Sequence, residues 1–543
     1  MNSVSRGGYA TQAHFADIQR PPLERSVFNR GSGHKTVFNE GLLIPIFWDE
    51  ILPGDTMKLS GSFLTRLATP QFPYMDNVYM DVHYFFVPNR LVWDNWERFN
   101  GAQDDPDDTT DYLTPQLDDG TWATGFPEMS VMDFLGLPTK LAGIPQADMP
   151  NAFIMRAYNL IWNEWYRDQN LQNSVPVDKT DGPDTTAYVL LPRNRRKDYF
   201  TSALPWPQKG PDVLLPLGIS APVTGIGKFN QTYSAGPLTA YETGGSASVS
   251  YADGVGISNA ADNDRVFVEE DPNNPGFPNI YADLSAATAA TINEIREAFQ
   301  LQKLFERDAR GGTRYVEILL SHFGVVSPDF RLQRPEYLGG GTFQMNVNPV
   351  AQTSASMTGE NPQGTLAAFA IANGKAGFNH SFVEHGHVIG LASVRAETTY
   401  QEGMHRAFSR RTRYDFFWPS FAHLGEQAIL NKEICMIATY DPPDFDNNGV
   451  FGYQERYAEY RYRPSMVTSI FRSNAAQSLD AWHLAIDFNG VCPELADIVP
   501  ETPPIERIVA VPSQPHFICD SWHQITHARP LPTYGTPGLV DHF

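Results

Sequence analysis

The stretches MKLSGSFLTRL (57–67) and VYMDVHYFFV (78–87) decide the fold class. In the first, Met57, Leu59, Phe63 and Leu67 fall on one side of an extended chain, and Lys58, Ser60, Ser62 and Arg66 on the other. The second alternates through Val78, Met80, Val82, Tyr84 and Phe86. A period of two sends successive side chains to opposite faces of a strand, so both stretches predict strands lining a core. Outward from them, Leu42–Trp48, Phe343–Val347, His387–Thr398, Ile434–Tyr440, Tyr457–Arg463 and Trp482–Phe488 carry further strand signals. The chain is therefore mainly β. Eight strands in 543 residues leave long excursions between them, and loops beyond about 15 residues are uncommon unless they carry a function.

The excursions have distinct characters. Residues 101–147 are turn-rich and acidic, opening with Asp104, Asp105, Asp107 and Asp108. Asp148–Gln172 predicts a helix from the spacing of Ile154, Tyr158, Ile161 and Trp165, with Pro150 in its first turn. Residues 222–283 are rich in Gly, Ser, Ala, Thr and Asn, with 2 basic and 8 acidic side chains and hence a charge of −6. Ser285–Arg310 predicts a second helix, capped by Ser285, striped by Ile292, Ile295 and Phe299, and ended by Gly311–Gly312. Residues 1–36 show no apolar period and read as an extended arm. Their 5 basic side chains (Arg6, Arg20, Arg25, Arg30, Lys35) against Asp17 and Glu24 give +3, opposite in sign to the chain. Such a tail either faces nucleic acid or packs on a neighbour.

Composition narrows the function. With 40 basic and 62 acidic residues the net charge is −22, while 12% of residues are aromatic. That many aromatics excludes a disordered chain, and the charge excludes a simple basic nucleic-acid binder. Cys435, Cys492 and Cys519 form no paired or zinc-like spacing, so neither a disulfide scaffold nor structural zinc is expected. The N-terminus lacks the apolar stretch of a signal peptide, and folding in a reducing cytoplasm is the expectation.

No nucleophile elbow, zinc-protease motif or phosphate-binding loop occurs, so no catalytic residues are expected. Glu384-His-Gly-His387 sets two histidines on one side of an extended segment, which fits ordinary histidines better than a metal site. Asp444, Asp446, Asn448 and Glu455 match a calcium-loop pattern, yet Pro442-Pro443 stand where its entering helix would be. Calcium or a turn of Asx residues are the two readings, and no other cofactor is indicated. Arg406, Arg410, Arg411 and Arg413 interleave with Phe408 and Tyr414, and Arg193, Arg195, Arg196 and Lys197 form another cluster. Arginines beside aromatics suit phosphates and unstacked bases, or ion pairs between subunits. Arg20, Arg25, Arg30, Arg410, Arg411 and Arg413 are the candidate DNA-facing residues.

Six blocks in chain order carry a resemblance: FNEGLLIPIFWDEILPGDTMKL (38–59), YMDVHYFFVPNRLVWDNWERF (79–99), KDYFTSALPWPQKG (197–210), RYVEILLSHFGVVSPDFRLQRPEYLGG (314–340), VFGYQERYAEYRYRPS (450–465) and RPLPTYGTPGLVDHF (529–543). They resemble the major capsid protein of the microviruses, small single-stranded DNA bacteriophages, most closely the gokushovirus branch. The resemblance implies an eight-stranded antiparallel viral jelly roll over 37–543 with long inserted loops and a few helices. It also implies a T=1 icosahedral homo-oligomer of sixty copies, with 222–283 as a surface protrusion at the threefold axes that contacts the host. Implied partners are the single-stranded DNA genome, a small basic DNA-packaging protein, a minor or pilot capsid protein and a host cell-surface receptor. Localisation would be the virion, assembled in the bacterial cytoplasm without membrane insertion. The rival expectation is a secreted β-sandwich that binds or hydrolyses polysaccharide.

Overall fold

Thr56–Leu67 buries Met57, Leu59, Gly61, Phe63, Thr65 and Leu67 and turns the residues between them outward, as its alternation predicts. In the computed structural model, residues 24–214, 292–354, 363–438 and 446–534 are described, together with short strand pieces between 223 and 282. By contact the chain divides into one unit of residues up to Pro207 and from Ala309 onward, and a second, Gln208–Asp308.

The first unit contains, in chain order, β1 (Ser26–Phe38), β2 (Ile44–Ile51), β3 (Thr56–Leu67), β4 (Val78–Pro88), β5 (Glu336–Gln344), β6 (Asn346–Ala351), β7 (Leu366–Ser381), β8 (Gly386–Ala396), β9 (Glu426–Leu430), β10 (Val450–Glu455) and β11 (Phe517–Arg529). One sheet has the order β1-β11-β3-β7-β6 and the other β5-β4-β8-β2. All pairings within these two sheets are antiparallel. With β6 set aside as an added edge strand, the chain crosses between two four-stranded sheets in the pattern of a jelly roll.

The inner faces of both sheets form one core, with Phe63 and Met57 from β3, Val82, Tyr84 and Phe86 from β4, and Val388 and Val394 from β8. The second sheet is covered on its other face too. There Phe85, Val87, Ile389 and Leu391 meet Trp93, Met155, Tyr158 and Ile161, which is why every residue of β8 is buried. The covering helix α1 (Phe153–Ile161) continues as a π turn to Tyr166, shorter than the predicted 148–172. Tyr158 anchors it by donating to the Leu43 carbonyl (2.8 Å) and accepting from the Leu191 amide (2.9 Å). Arg156 pairs with Asp184 at 2.8 Å, both side chains wholly buried. A third cluster, around Phe200, Tyr400, Ile429 and Phe451, lies beside the β9–β10 ribbon.

The structure corrects several expectations. Residues 26–36, assigned to the arm, are most of β1, paired residue for residue with β11 from Ser26↔Arg529 to Phe38↔Phe517. Phe343–Val347 straddles a break at Met345 between β5 and β6. Of the predicted strand Ile434–Tyr440, Ile434 ends the short helix Asn431–Ile434, and the last two residues lie outside the described ones. In Tyr457–Arg463 the left-handed Tyr457 opens a 3-10 turn, and the strand lies upstream as β10. Trp482–Phe488 is a loop following a 3-10 turn. Cys435 and Cys492 are joined in a disulfide with Cα atoms 5.4 Å apart, against the expectation of none. A pair separated by 57 residues leaves no spacing signature to read.

In the second unit the described residues are mainly 208–214, short strands and most of helix α2 (Ile292–Arg310). Its expected cap Ser285 and most of 222–283 lie outside the described residues. Ile292 and Phe299 of the expected stripe are exposed.

Candidate nucleic-acid and assembly interface

The segment between β8 and β9 turns a dense set of large side chains to solvent. Phe408 is 82% exposed, and Tyr414, Phe416, Phe417 and Trp418 each keep two fifths or more of their surface in water. Tyr460 and Tyr462, from the turn after β10, are exposed as well. Local bonds hold this irregular chain in place. Asp415 accepts from the Arg411 and Thr412 amides (2.9 and 2.7 Å), and these bonds hold its carboxyl below the ordinary value. Trp418 Nε1 donates to the Arg413 carbonyl at 2.8 Å.

The four arginines divide by environment. Arg406 donates to Glu433 (2.9 Å) and to the Ala428 carbonyl (2.7 Å). Arg410 is largely buried, pairs with Glu459 at 2.9 Å and lies 4.6 Å from the centre of the Tyr460 ring. Both fix this surface to the ribbon beneath. Arg413 lies 5.3 and 5.4 Å from the ring centres of Tyr414 and Trp418. Arg411 and Arg413 are exposed. Monomeric soluble proteins rarely expose contiguous apolar patches of this kind, and Tyr, Trp, Phe and Arg are the residues enriched where proteins dock.

The other candidates are scattered. Arg20 lies outside the described residues. Arg25 donates to the Gly54 carbonyl at 2.7 Å, and Arg30 pairs with Asp49 beside His527. In the second basic cluster Arg193 pairs with Asp81 (2.5 Å), Arg195 bonds Thr502 (2.9 Å) and Lys197 pairs with Asp168 (2.6 Å). Burial pushes the Asp81 carboxyl up, but Arg193, Thr342 and Arg395 outweigh it and hold the group below its ordinary value.

Of the calcium pattern, Asp444 lies outside the described residues. Asp446 Oδ1 accepts from the Asn448 amide at 2.8 Å, an Asx turn, and Asn448 Oδ1 accepts from Lys432 at 2.7 Å. Glu455 is paired with Arg461 and lies 3.7 Å from Arg310. A backbone amide thus occupies Asp446 Oδ1, and cationic side chains occupy Asn448 and Glu455. Among the described residues no group of three or more metal-ligating side chains converges. His387 is buried against Asn89 (2.9 Å), and burial lowers its pKa to about 4.

The family model described as capsid protein (F protein) matches residues 16–539. The chain belongs to this capsid protein family. Three relatives bear the name capsid protein VP1. That of Bdellovibrio phage phiMH2K is 50% identical, covering 99% of both chains. That of Chlamydia phage 1 is 42% identical with 97% of each covered, and that of Spiroplasma virus 4 is 34% identical with 93% of this chain and 94% of the relative covered. The resemblance to microvirus capsid proteins thus holds along the whole chain, and the role of a capsid protein is structural, not enzymatic. The expectation of a secreted polysaccharide-active sandwich falls with it. Among the described residues no helix is long and apolar enough to cross a membrane. In this capsid protein the sequence points to the arginines with Phe408 and Tyr414, while Phe416, Phe417 and Trp418 are further exposed aromatics that the structure adds. The run Phe416-Phe417-Trp418 beside Tyr414 was the available signal.

Proposed function

We propose that this chain is the major subunit of a T=1 icosahedral shell enclosing a small single-stranded DNA genome. The observation that carries the reading is the aromatic and arginine surface formed by 408–418 and 460–462. Leaving that much apolar area in water is unfavourable by roughly 25 cal/mol for each Å², and contact with neighbouring copies removes it. Rigid aromatic anchors backed by buried pairs such as Arg410–Glu459 suit such a contact. Replacing Trp418 and Phe408 together with Ser should leave a folded subunit that no longer assembles. Normal particles from that variant would contradict the assignment of this surface.

At −22 the subunit cannot neutralise a genome alone, so a small basic packaging protein is proposed to share the interior, with a minor or pilot protein as a further component. Segment 222–283 is proposed as the host-contacting insertion, because loops carried on a rigid scaffold commonly hold recognition. Deleting 228–278 should leave particles intact and abolish adsorption to host cells; unchanged adsorption would remove that role. Assembly in the bacterial cytoplasm follows from the same reading.

A further inference from the structure

The outward face of the first sheet differs in charge from the rest of the molecule. The register aligns Gly33, Trp522, Ser62 and Lys375 in one row across four strands, and Asn29, Thr526, Lys58 and Asn379 in another. A third row holds Val37, Ile518, Arg66 and Ile371, and a fourth Lys35, Asp520, Leu64 and Asn373. This face therefore carries Lys35, Lys58, Arg66 and Lys375 against Asp520 alone, +3 in a chain of −22. Lys35 is 3.5 Å from Asp520. Lys58, Arg66 and Lys375 are exposed and have no carboxylate partner among the described residues. Lys58 and Arg66 stand eight residues apart on β3, about 27 Å along the strand, with Lys375 beside its midpoint.

An aromatic platform lies in the same field. Trp522 is 51% exposed on the central part of β11. Its indole rests over Gly31 and Gly33, where added Cβ atoms would come within 2.8 and 3.3 Å of the ring. Glycine at both positions lets one ring face lie on the backbone while the other meets solvent. Between these groups lie the short polar side chains of Ser60, Ser62, Asn373, Gln524 and Thr526, with Val37, Leu64, Phe369 and Ile518 also exposed on this face.

We infer that this sheet face binds a single-stranded nucleic acid, with Lys58, Arg66 and Lys375 on its phosphates and Trp522 stacked on a base. The inference rests on the genome-enclosing reading and assigns the contact to side chains other than the candidate arginines. An open face with dispersed cations and an exposed indole recognises a backbone without sequence preference. An acidic patch on a second copy would be drawn by the same charge, but it would leave the exposed indole without a stacking partner.

The test is anisotropy titration of a labelled oligothymidylate with the purified full chain across a salt series. Binding should weaken with salt. The triple variant Lys58→Glu, Arg66→Glu, Lys375→Glu should lower the log–log salt slope by about 2, since each phosphate contact on a single strand contributes about 0.7. The triple Gln variant at the same positions guards against misfolding and should lower the slope by the same amount. Trp522→Leu should weaken binding about tenfold with the slope kept, and Arg411→Glu with Arg413→Glu should leave binding unchanged. No binding by the wild type, an unchanged slope in both triple variants, or an equal loss in the Arg411 and Arg413 variant would each overturn the inference. Assembly lost with oligonucleotide binding intact would overturn it too, assigning the face to a second copy. Failure of the wild type to form any shell bears on the capsid reading alone, because the titration needs no particle.

Discussion

The two sheets of the jelly roll are built to opposite specifications. The second sheet is covered on both faces at its centre: β8 has no exposed residue, and α1 with its neighbours covers Phe85, Val87, Ile389 and Leu391. The first sheet buries one face and gives the other to water, where it carries lysines, amides and Trp522. One sheet thus works as scaffold and the other offers a surface, and the same kind of substitution should have different consequences on each.

The sharpest contrast concerns ion pairs. Asp184→Ala leaves the wholly enclosed Arg156 only the Asp178 carboxylate at 3.5 Å, and should cost about 3 kcal/mol in urea unfolding. Asp520→Ala removes an exposed partner of Lys35 on the first sheet and should cost less than about 1 kcal/mol. Equal losses would break the distinction. Next in size are apolar truncations. Met80→Ala opens a cavity between the sheets and should cost about 2–5 kcal/mol. Leu64→Ala on the outward face, where the side chain is half exposed, should stay within about 0.5 kcal/mol.

A smaller effect is set by pH. His387 in the second sheet and His523 in the first both have pKa values lowered to about 4, chiefly by burial. The unfolded chain binds their protons at about pH 6.5, before the folded chain does, so stability is full above that value and falls as pH drops toward 4. His387→Gln should flatten the loss down to about pH 5 by about 2 kcal/mol, measured as melting temperature against pH. A profile unchanged by the substitution would show that burial does not hold His387 neutral.

The same asymmetry explains what could be read from the sequence. β3 and β4 were legible because their buried positions are large and apolar. β11 was missed because its inward positions include Ser521, His523 and His527, which no hydrophobic period registers. β7 packs Ala368, Ala370, Ala372 and Ala376 inward, small residues with low strand propensity. β1 was read as an arm since glycines under Trp522 stand where strand formers would. Conversely, the tyrosines of 457–463 mimic a strand period but belong to a turn that buries Tyr457 and exposes Tyr460 and Tyr462. Of the interface, the arginine clusters were visible, whereas pairing separates Arg410, tied to Glu459, from the open Arg411 and Arg413. Only the fold brings Lys58, Lys375 and Trp522 onto one face.

The most direct test of the shell reading is sedimentation velocity of the purified chain at physiological salt, with negative-stain images of the same sample. The account predicts one narrow species many times heavier than the 60.6 kDa subunit, imaged as uniform spheres. A stable monomer under every assembly condition tried, with the 408–418 surface left in water, would contradict it.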